Sequence, residues 1–180
     1  MLVLLPHIRD WFEGKPEHLK TFANSDCRLE GWFKGELLVL FSRLARQGVI
    51  AGFEREVNIP THTPGGRFQI DFKVTLGTEL YLCELKALCI SRAAGTPRNL
   101  NFYFRDDGLG LVKDFKKLDS VPASNKWMMA FIYPVPDPLT WKQAVGLLPT
   151  TVQHWRSIDQ PPGVSKPLFV SLWKPETVGV

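Results

Sequence analysis

Three charged residues sit where a β-sheet ought to be apolar. Asp71 lies inside Arg67-Phe-Gln-Ile-Asp-Phe-Lys-Val-Thr-Leu76, and Glu84 and Lys86 lie inside Glu79-Leu-Tyr-Leu-Cys-Glu-Leu-Lys-Ala-Leu88. Alternating apolar residues with Gly77 between the two runs predict neighbouring strands joined by a tight turn. Ile70, Phe72 and Val74 then share one face, and Gln69, Asp71 and Lys73 the other; on the second strand Leu82, Glu84, Lys86 and Leu88 share a face. Charge in such places is costly unless it is paired or binds a metal. Two carboxylates at close range repel strongly in a low dielectric. A hard divalent cation, Mg²⁺ or Mn²⁺, relieves that repulsion through oxygen ligands while keeping several waters. Asp71 and Glu84 are therefore the candidate metal ligands, with the backbone carbonyl of Leu85 as a third protein oxygen. Lys86 beside them would orient or deprotonate an attacking water, or stabilise a pentavalent phosphate. Gln69 is an accessory candidate for a hydrogen bond to a metal water or a phosphate.

The elements around this pair follow from periodicity and breakers. Residues 7–31 are hard to assign, apart from a short helix over Pro16–Phe22 with proline in its first turn and a loop at Asn24-Ser-Asp26. Trp32–Gln47 predicts a helix stopped by Gly48, with Leu37, Leu40, Phe41 and Leu44 as its apolar stripe. Glu36 borders the buried side and is the candidate accessory acid; Gly35 would let the helix lie close to a neighbour. Gly52–Pro60 predicts a strand. Residues 89–105 predict a loop, with a short strand near Asn101–Phe104. A second helix over Gly108–Ser120, capped by Asp106 or Asp107, buries Leu111, Phe115 and Leu118. Lys126–Tyr133 predicts a buried strand, Leu139–Leu148 and Val152–Ile158 helical pieces, and Pro167–Trp173 a final strand. The order is that of a single α/β domain with a mixed central β-sheet flanked by helices.

Asp71, twelve intervening residues, then Glu84-Leu-Lys86, preceded by a helix bearing Glu36 and followed by a helix and a strand, resembles the PD-(D/E)xK nuclease superfamily, the restriction-endonuclease-like fold. The resemblance covers residues 30–135 and leaves 1–30 and 136–180 outside it. Ile70 stands where the superfamily often has proline. The resemblance implies a Mg²⁺- or Mn²⁺-dependent endonuclease with Asp71, Glu84, Lys86 and Glu36 as its catalytic set and DNA as its substrate. A second expectation is a nuclease-like subunit of a DNA-processing complex that binds nucleic acid without cutting it. A homodimer that cuts both strands, or a place in a larger assembly, is open.

Plainer readings stand beside these. Glu84 and Lys86 form a solvent-exposed pair on an edge strand, with Asp71 pairing Lys73 or Lys86, and Glu36 is a solvated helix residue. Arg43, Arg92, Arg98, Arg105, Lys113, Lys116 and Lys117 are the candidate nucleic-acid contacts. Against that, Lys113, Lys116 and Lys117 make an ordinary solvated face, and Arg43 suits a helix C-terminus without any ligand.

Bulk composition narrows the classes. At 180 residues, 44% hydrophobic and 22% charged, the chain can bury a real core. Its charge of +4 and pI near 9.0 lean mildly toward polyanions. Three cysteines, Cys27, Cys83 and Cys89, without C-x-x-C spacing argue against a disulfide framework and a cysteine zinc site, and suit an intracellular, cytoplasmic setting. The apolar start stops at Pro6, too short for a signal peptide, and no stretch would span a membrane. His7, His18, His62 and His154 form no metal motif, Pro64-Gly-Gly66 is not a phosphate loop, and no serine has nucleophile-elbow glycines. The tryptophans read as packing residues, with Trp141 and Trp155 the ones to check for exposure.

Overall fold

Helices lead into the sheet and then cover it on both faces. The computed structural model describes residues 1–25, 29–90, 92–93, 96–97, 99–108, 110–133, 136–149, 151–158 and 168–175, with the backbone alone at 20, 23, 24, 92, 93, 96, 97, 151–158 and 168–175. In chain order come α1 (Leu4–Glu13), α2 (Pro16–Ser25), α3 (Glu30–Arg46), β1 (Gly52–Pro60), β2 (Arg67–Leu76) and β3 (Glu79–Cys89). Then follow β4 (Arg92–Ala93), β5 (Thr96–Pro97), α4 (Leu100–Tyr103), α5 (Leu111–Asp119), β6 (Lys126–Tyr133), α6 (Pro138–Val145), β7 (Thr151–Ile158) and β8 (Leu168–Pro175).

The sheet order is β1-β2-β3-β6-β8-β7. Four strands from the β1 edge make a mixed, open sheet: β1, β2 and β3 are an antiparallel meander, and β6 runs parallel to β3. A parallel neighbour requires a crossover, which α4 and α5 supply. β8 and β7 extend the sheet in antiparallel fashion beyond β6.

Two apolar layers pack on the two faces of this sheet. On one, Leu4, Leu5, Ile8 and Phe12 of α1 and Phe33, Leu37, Leu40, Phe41 and Leu44 of α3 meet Cys83, Leu85, Met129 and Phe131. The Phe33 and Phe131 rings stack with centroids 3.9 Å apart, and Phe12 meets both edge-on. On the other, Leu111, Phe115 and Leu118 of α5 with Leu100 and Tyr103 of α4 cover Leu82, Leu88, Met128, Ala130 and Ile132. Every residue of β6 is buried, as befits a strand covered on both faces.

Several sequence expectations need correcting. Residues 4–13 are helical through Pro6, because a proline in the first turn forgoes an N–H with no intrahelical partner. α2 continues through Asn24 and Ser25. Asn101–Tyr103 is helix, capped by the Asn99 side chain accepting from the Phe102 N–H at 3.1 Å. Residues 151–158 are strand rather than helix. α5 begins at Leu111 after Gly110 without a side-chain cap; Asp106 pairs with Lys116, and Asp107 with Arg105 at 2.6 Å. Gly110 is required there, since a Cβ would stand 2.0 Å from the Arg105 carbonyl oxygen. No such approach exists at Gly35, where a Cβ would meet nothing within 4 Å. Trp141 is half-buried against Phe104, and the Trp155 side chain lies outside the described residues.

Candidate active site

Asp71 and Glu84 come together where the meander opens, with Lys86 two residues further along β3. The β2–β3 ladder runs from the pair Leu76 and Glu79 to the pair Phe72 and Cys83 and stops. The next opposed pair would be Asp71 and Glu84, and there carboxylates replace backbone carbonyls as acceptors. The Asp71 N–H donates to Glu84 Oε2 at 3.3 Å, and the Leu85 N–H donates to Asp71 Oδ2 at 2.8 Å. Beyond this point β3 stays in register with β6 as far as Cys89 and Tyr133, so β2 is the strand that leaves.

β2 is loosened on its other side at the same level. The β1–β2 register pairs Arg55 with Phe72 and Val57 with Ile70, and the intervening Glu56 makes no bridge. Its φ is 51°, a left-handed value unusual for a residue with a Cβ. The predicted face pattern breaks here as well. Phe72 and Val74 pack with α3, whereas Ile70 joins the α5 layer with Phe68 and Ile59. The ribbon turns at Asp71, so a single alternation does not run the length of β2.

Glu84 is 8% exposed on a central strand, which removes the exposed edge-pair reading. Nor does Asp71 pair with Lys73, which is bound to Glu54 at 2.6 Å across the hairpin. Asp71 Oδ1 instead meets Lys34 Nζ at 2.7 Å, from α3, and Lys34 also reaches Glu30 at 3.2 Å. Lys86 Nζ lies 3.1 Å from Asp114 Oδ2, a carboxylate on α5 only 5% exposed. Lys117 approaches the other oxygen of Asp114 at 3.7 Å.

This environment shifts protons. Burial, then the charge of Asp71, pushes the Glu84 carboxyl up to about 8, with Lys86 pulling the other way. Burial pulls Lys86 toward its neutral form, but Asp114, Glu30 and Glu84 outweigh it and hold the ammonium above its ordinary value. Lys86 is thus kept charged, which suits stabilising developing negative charge better than accepting a proton. Burial likewise lowers Lys34, and Asp71 and Glu30 more than restore it. The buried Cys83 thiol, next to both acids, is driven far above its ordinary range by burial and by their charges.

The other candidates separate into near and far. Glu36 is not at the fork: its Oε2 accepts from Trp11 Nε1 at 3.0 Å and pairs with Lys15 at 2.9 Å, on the α1 side of α3. The α3 acid that does reach the cluster is Glu30, which lines a cleft of about 280 Å³ together with Lys86. Gln69 is exposed on β2, two residues before Asp71. Arg43 lines a separate cavity of about 410 Å³ between α1 and α3, with His7 and Lys15. Arg105 lies over the Phe102 ring at 4.5 Å, Lys116 is tied to Asp106, and Lys113 is half-buried. Arg98 and the Arg92 side chain lie outside the described residues.

Glu30, Lys34 and Asp114 were not among the sequence candidates, although each left a trace. Asp114 falls on the stripe Leu111, Phe115, Leu118 of α5, where an acid has no place without a partner. Glu30 and Lys34 are spaced i, i+4 on α3, whose start lies two residues before the predicted one.

Among the described residues, no three His, Cys, Asp or Glu side chains converge as a metal-holding group. The donor set that does exist is two carboxylates on adjoining strands, both hard oxygen donors suited to Mg²⁺ or Mn²⁺. Comparison of the chain with protein-family models, curated proteins and solved structures finds no match. Among the described residues no helix is long and apolar enough to cross a membrane.

Proposed function

We propose that this protein is a metal-dependent nuclease with a restriction-endonuclease-like core, hydrolysing phosphodiester bonds in DNA. One observation carries the reading: the β2–β3 ladder ends at Phe72 and Cys83, and the pair beyond it is two carboxylates, Glu84 buried and Asp71 half-buried, with Lys86 held two residues on. Asp71 and Glu84 would hold Mg²⁺ or Mn²⁺, with the Leu85 carbonyl and waters completing the shell. The bound cation would act as a Lewis acid toward the phosphate and make a coordinated water more acidic. Asp114 keeps Lys86 charged, and Lys86 in turn offsets the charge that develops on the phosphate. Glu30, the α3 acid that lines the cleft with Lys86, would take the accessory role expected of Glu36.

The test is cleavage of plasmid and single-stranded DNA with Mg²⁺ or Mn²⁺. Activity that requires the cation and disappears in Asp71→Ala and Lys86→Ala supports the site. Cleavage that survives either change refutes it.

A second reading, a nuclease-like binding subunit without turnover, draws on Lys34. Its ammonium already occupies Asp71 Oδ1 at 2.7 Å, as a built-in cation would. DNA binding with no cleavage in any divalent ion would favour that reading.

A further inference from the structure

The cleft beside Lys86 is bounded by Leu29, Glu30, Lys86, Leu88, Phe102 and Tyr103 and holds about 280 Å³. One part of the lining is ionic, Glu30 and Lys86, the latter paired with Asp114 at 3.1 Å. The other is apolar and aromatic: Leu29 and Leu88 are buried, Tyr103 is fixed by its hydroxyl donating to the Cys89 carbonyl at 2.9 Å, and Phe102 is half-buried. Tyr103 stands edge-on to Phe102 at 5.0 Å, and the Arg105 guanidinium, itself paired with Asp107 at 2.6 Å, lies 4.5 Å from the Phe102 ring centre. An ammonium, a flat apolar wall and an aromatic ring in one cleft match one nucleotide, with its phosphate at Lys86 and its base against Phe102.

Size decides between paired and unpaired substrate. At about 280 Å³ the cleft sits at the lower limit of small-ligand sites, roughly 300 Å³. One base with its sugar fills such a volume; a base pair carrying two backbones does not enter it. Unpaired bases are also the ones free to leave a stack and lie on an aromatic side chain.

We infer that this site takes single-stranded DNA, with the nucleotide next to the scissile phosphate seated unpaired between Lys86 and Phe102. The inference rests on the nuclease reading for its scissile phosphate, but its binding preference can be measured without turnover.

The experiment compares a fluorescein-labelled single-stranded 12-mer with the blunt duplex of the same sequence. Affinity is read by anisotropy in EDTA, and cleavage in Mn²⁺ in parallel. The wild type is expected to bind the single strand at least about ten-fold more tightly than the duplex, the scale of one base–aromatic stack. Phe102→Leu keeps the apolar volume and removes the ring, and should bring the two affinities together; Phe102→Trp should restore the preference. Equal affinity of the wild type for both substrates, or a preference that Phe102→Leu leaves intact, overturns the inference. A single-strand preference that depends on residue 102, with no cleavage in Mn²⁺, upholds the seat and sinks the nuclease reading alone.

Discussion

Replacing Glu84 with glutamine removes the proton-taking group of the fork while keeping its shape and an oxygen that can accept from the Asp71 N–H. In the folded protein burial, then Asp71, raises this carboxyl from 4.5 to about 8. In the unfolded chain it titrates near its ordinary value of about 4.3. Between these two values the native state holds a proton that the unfolded state has released. Stability contributed by this group is therefore full below the lower value, falls as pH rises, and levels off above about 8. The whole shift corresponds to roughly 5 kcal/mol at about 1.36 kcal/mol per pH unit. Glu84 interacts with the charges of Asp71, Lys86 and Asp114, so its share is not separable and about 2 kcal/mol is the part a single substitution should recover.

At this chain length 1 kcal/mol moves Tm by about 2–4 °C. Glu84→Gln should thus gain about 4–8 °C on the wild type between pH 5 and pH 9 in calorimetry with EDTA, starting from near equality at pH 5. Lys86 remains in both proteins, so only its interaction with residue 84 enters the difference. Parallel Tm curves across that range would refute the argument that Glu84 is protonated by its surroundings. A wild type that gains stability toward pH 9 relative to the variant would reverse its sign.

Three further outcomes follow from particular contacts. Lys34→Met should tighten Mn²⁺ binding about five-fold by calorimetric titration, because an ammonium 2.7 Å from Asp71 Oδ1 opposes a second cation by ~1 kcal/mol; unchanged or weaker binding would show that Asp71 is not a ligand. Gly35→Ala should raise stability by about 0.5–1 kcal/mol in urea unfolding, since the site is mid-helix and its Cβ would meet nothing; a loss would mean that α3 has a neighbour at that point. Cys83 should stay unreactive toward a disulfide reagent at pH 8 in the native state and react after unfolding, because burial and two adjacent carboxylates disfavour its thiolate; rapid native labelling of Cys83, located by peptide mapping, would contradict its burial.

Much of the framework was legible because periodicity there reports burial directly. The apolar stripe of α3, the bounds of β1 and the uninterrupted run of β6 follow from spacing alone, and the elements appear where those patterns lie. What escaped depended on partners distant in sequence. Val152–Ile158 alternates weakly and was read as helix, yet its pairing with β8 makes it a strand. Asn101–Phe104 is rich in aromatics that favour strands, but the Asn99 cap starts a helical turn instead. At the site, Asp71, Glu84 and Lys86 were legible as charge out of place. A helix predicted from Trp32 offers Glu36 as its acid and leaves Glu30, which α3 includes, outside its bounds.

The departures at the fork have one physical origin. A continuous β2–β3 ladder would bring Asp71 and Glu84 side by side and oblige both carboxylates to share a buried surface. Opening the ladder after Phe72 lets each carboxylate accept a backbone N–H from the opposite strand, and the left-handed Glu56 leaves β2 unpaired toward β1 at the same level. The opening relieves geometry but not charge. Four carboxyls, those of Glu30, Asp71, Glu84 and Asp114, face three ammonium groups, those of Lys34, Lys86 and, from the rim, Lys117. The count leaves one negative charge over, and the raised Glu84 carboxyl, which holds its proton up to about pH 8, offsets it. A divalent cation would do the same work by displacing that proton, so binding near pH 7 should release about one proton per ion bound. Titrating Mn²⁺ in two buffers of different ionisation enthalpy measures that number, and a value near zero would mean that the cation does not displace the proton on Glu84.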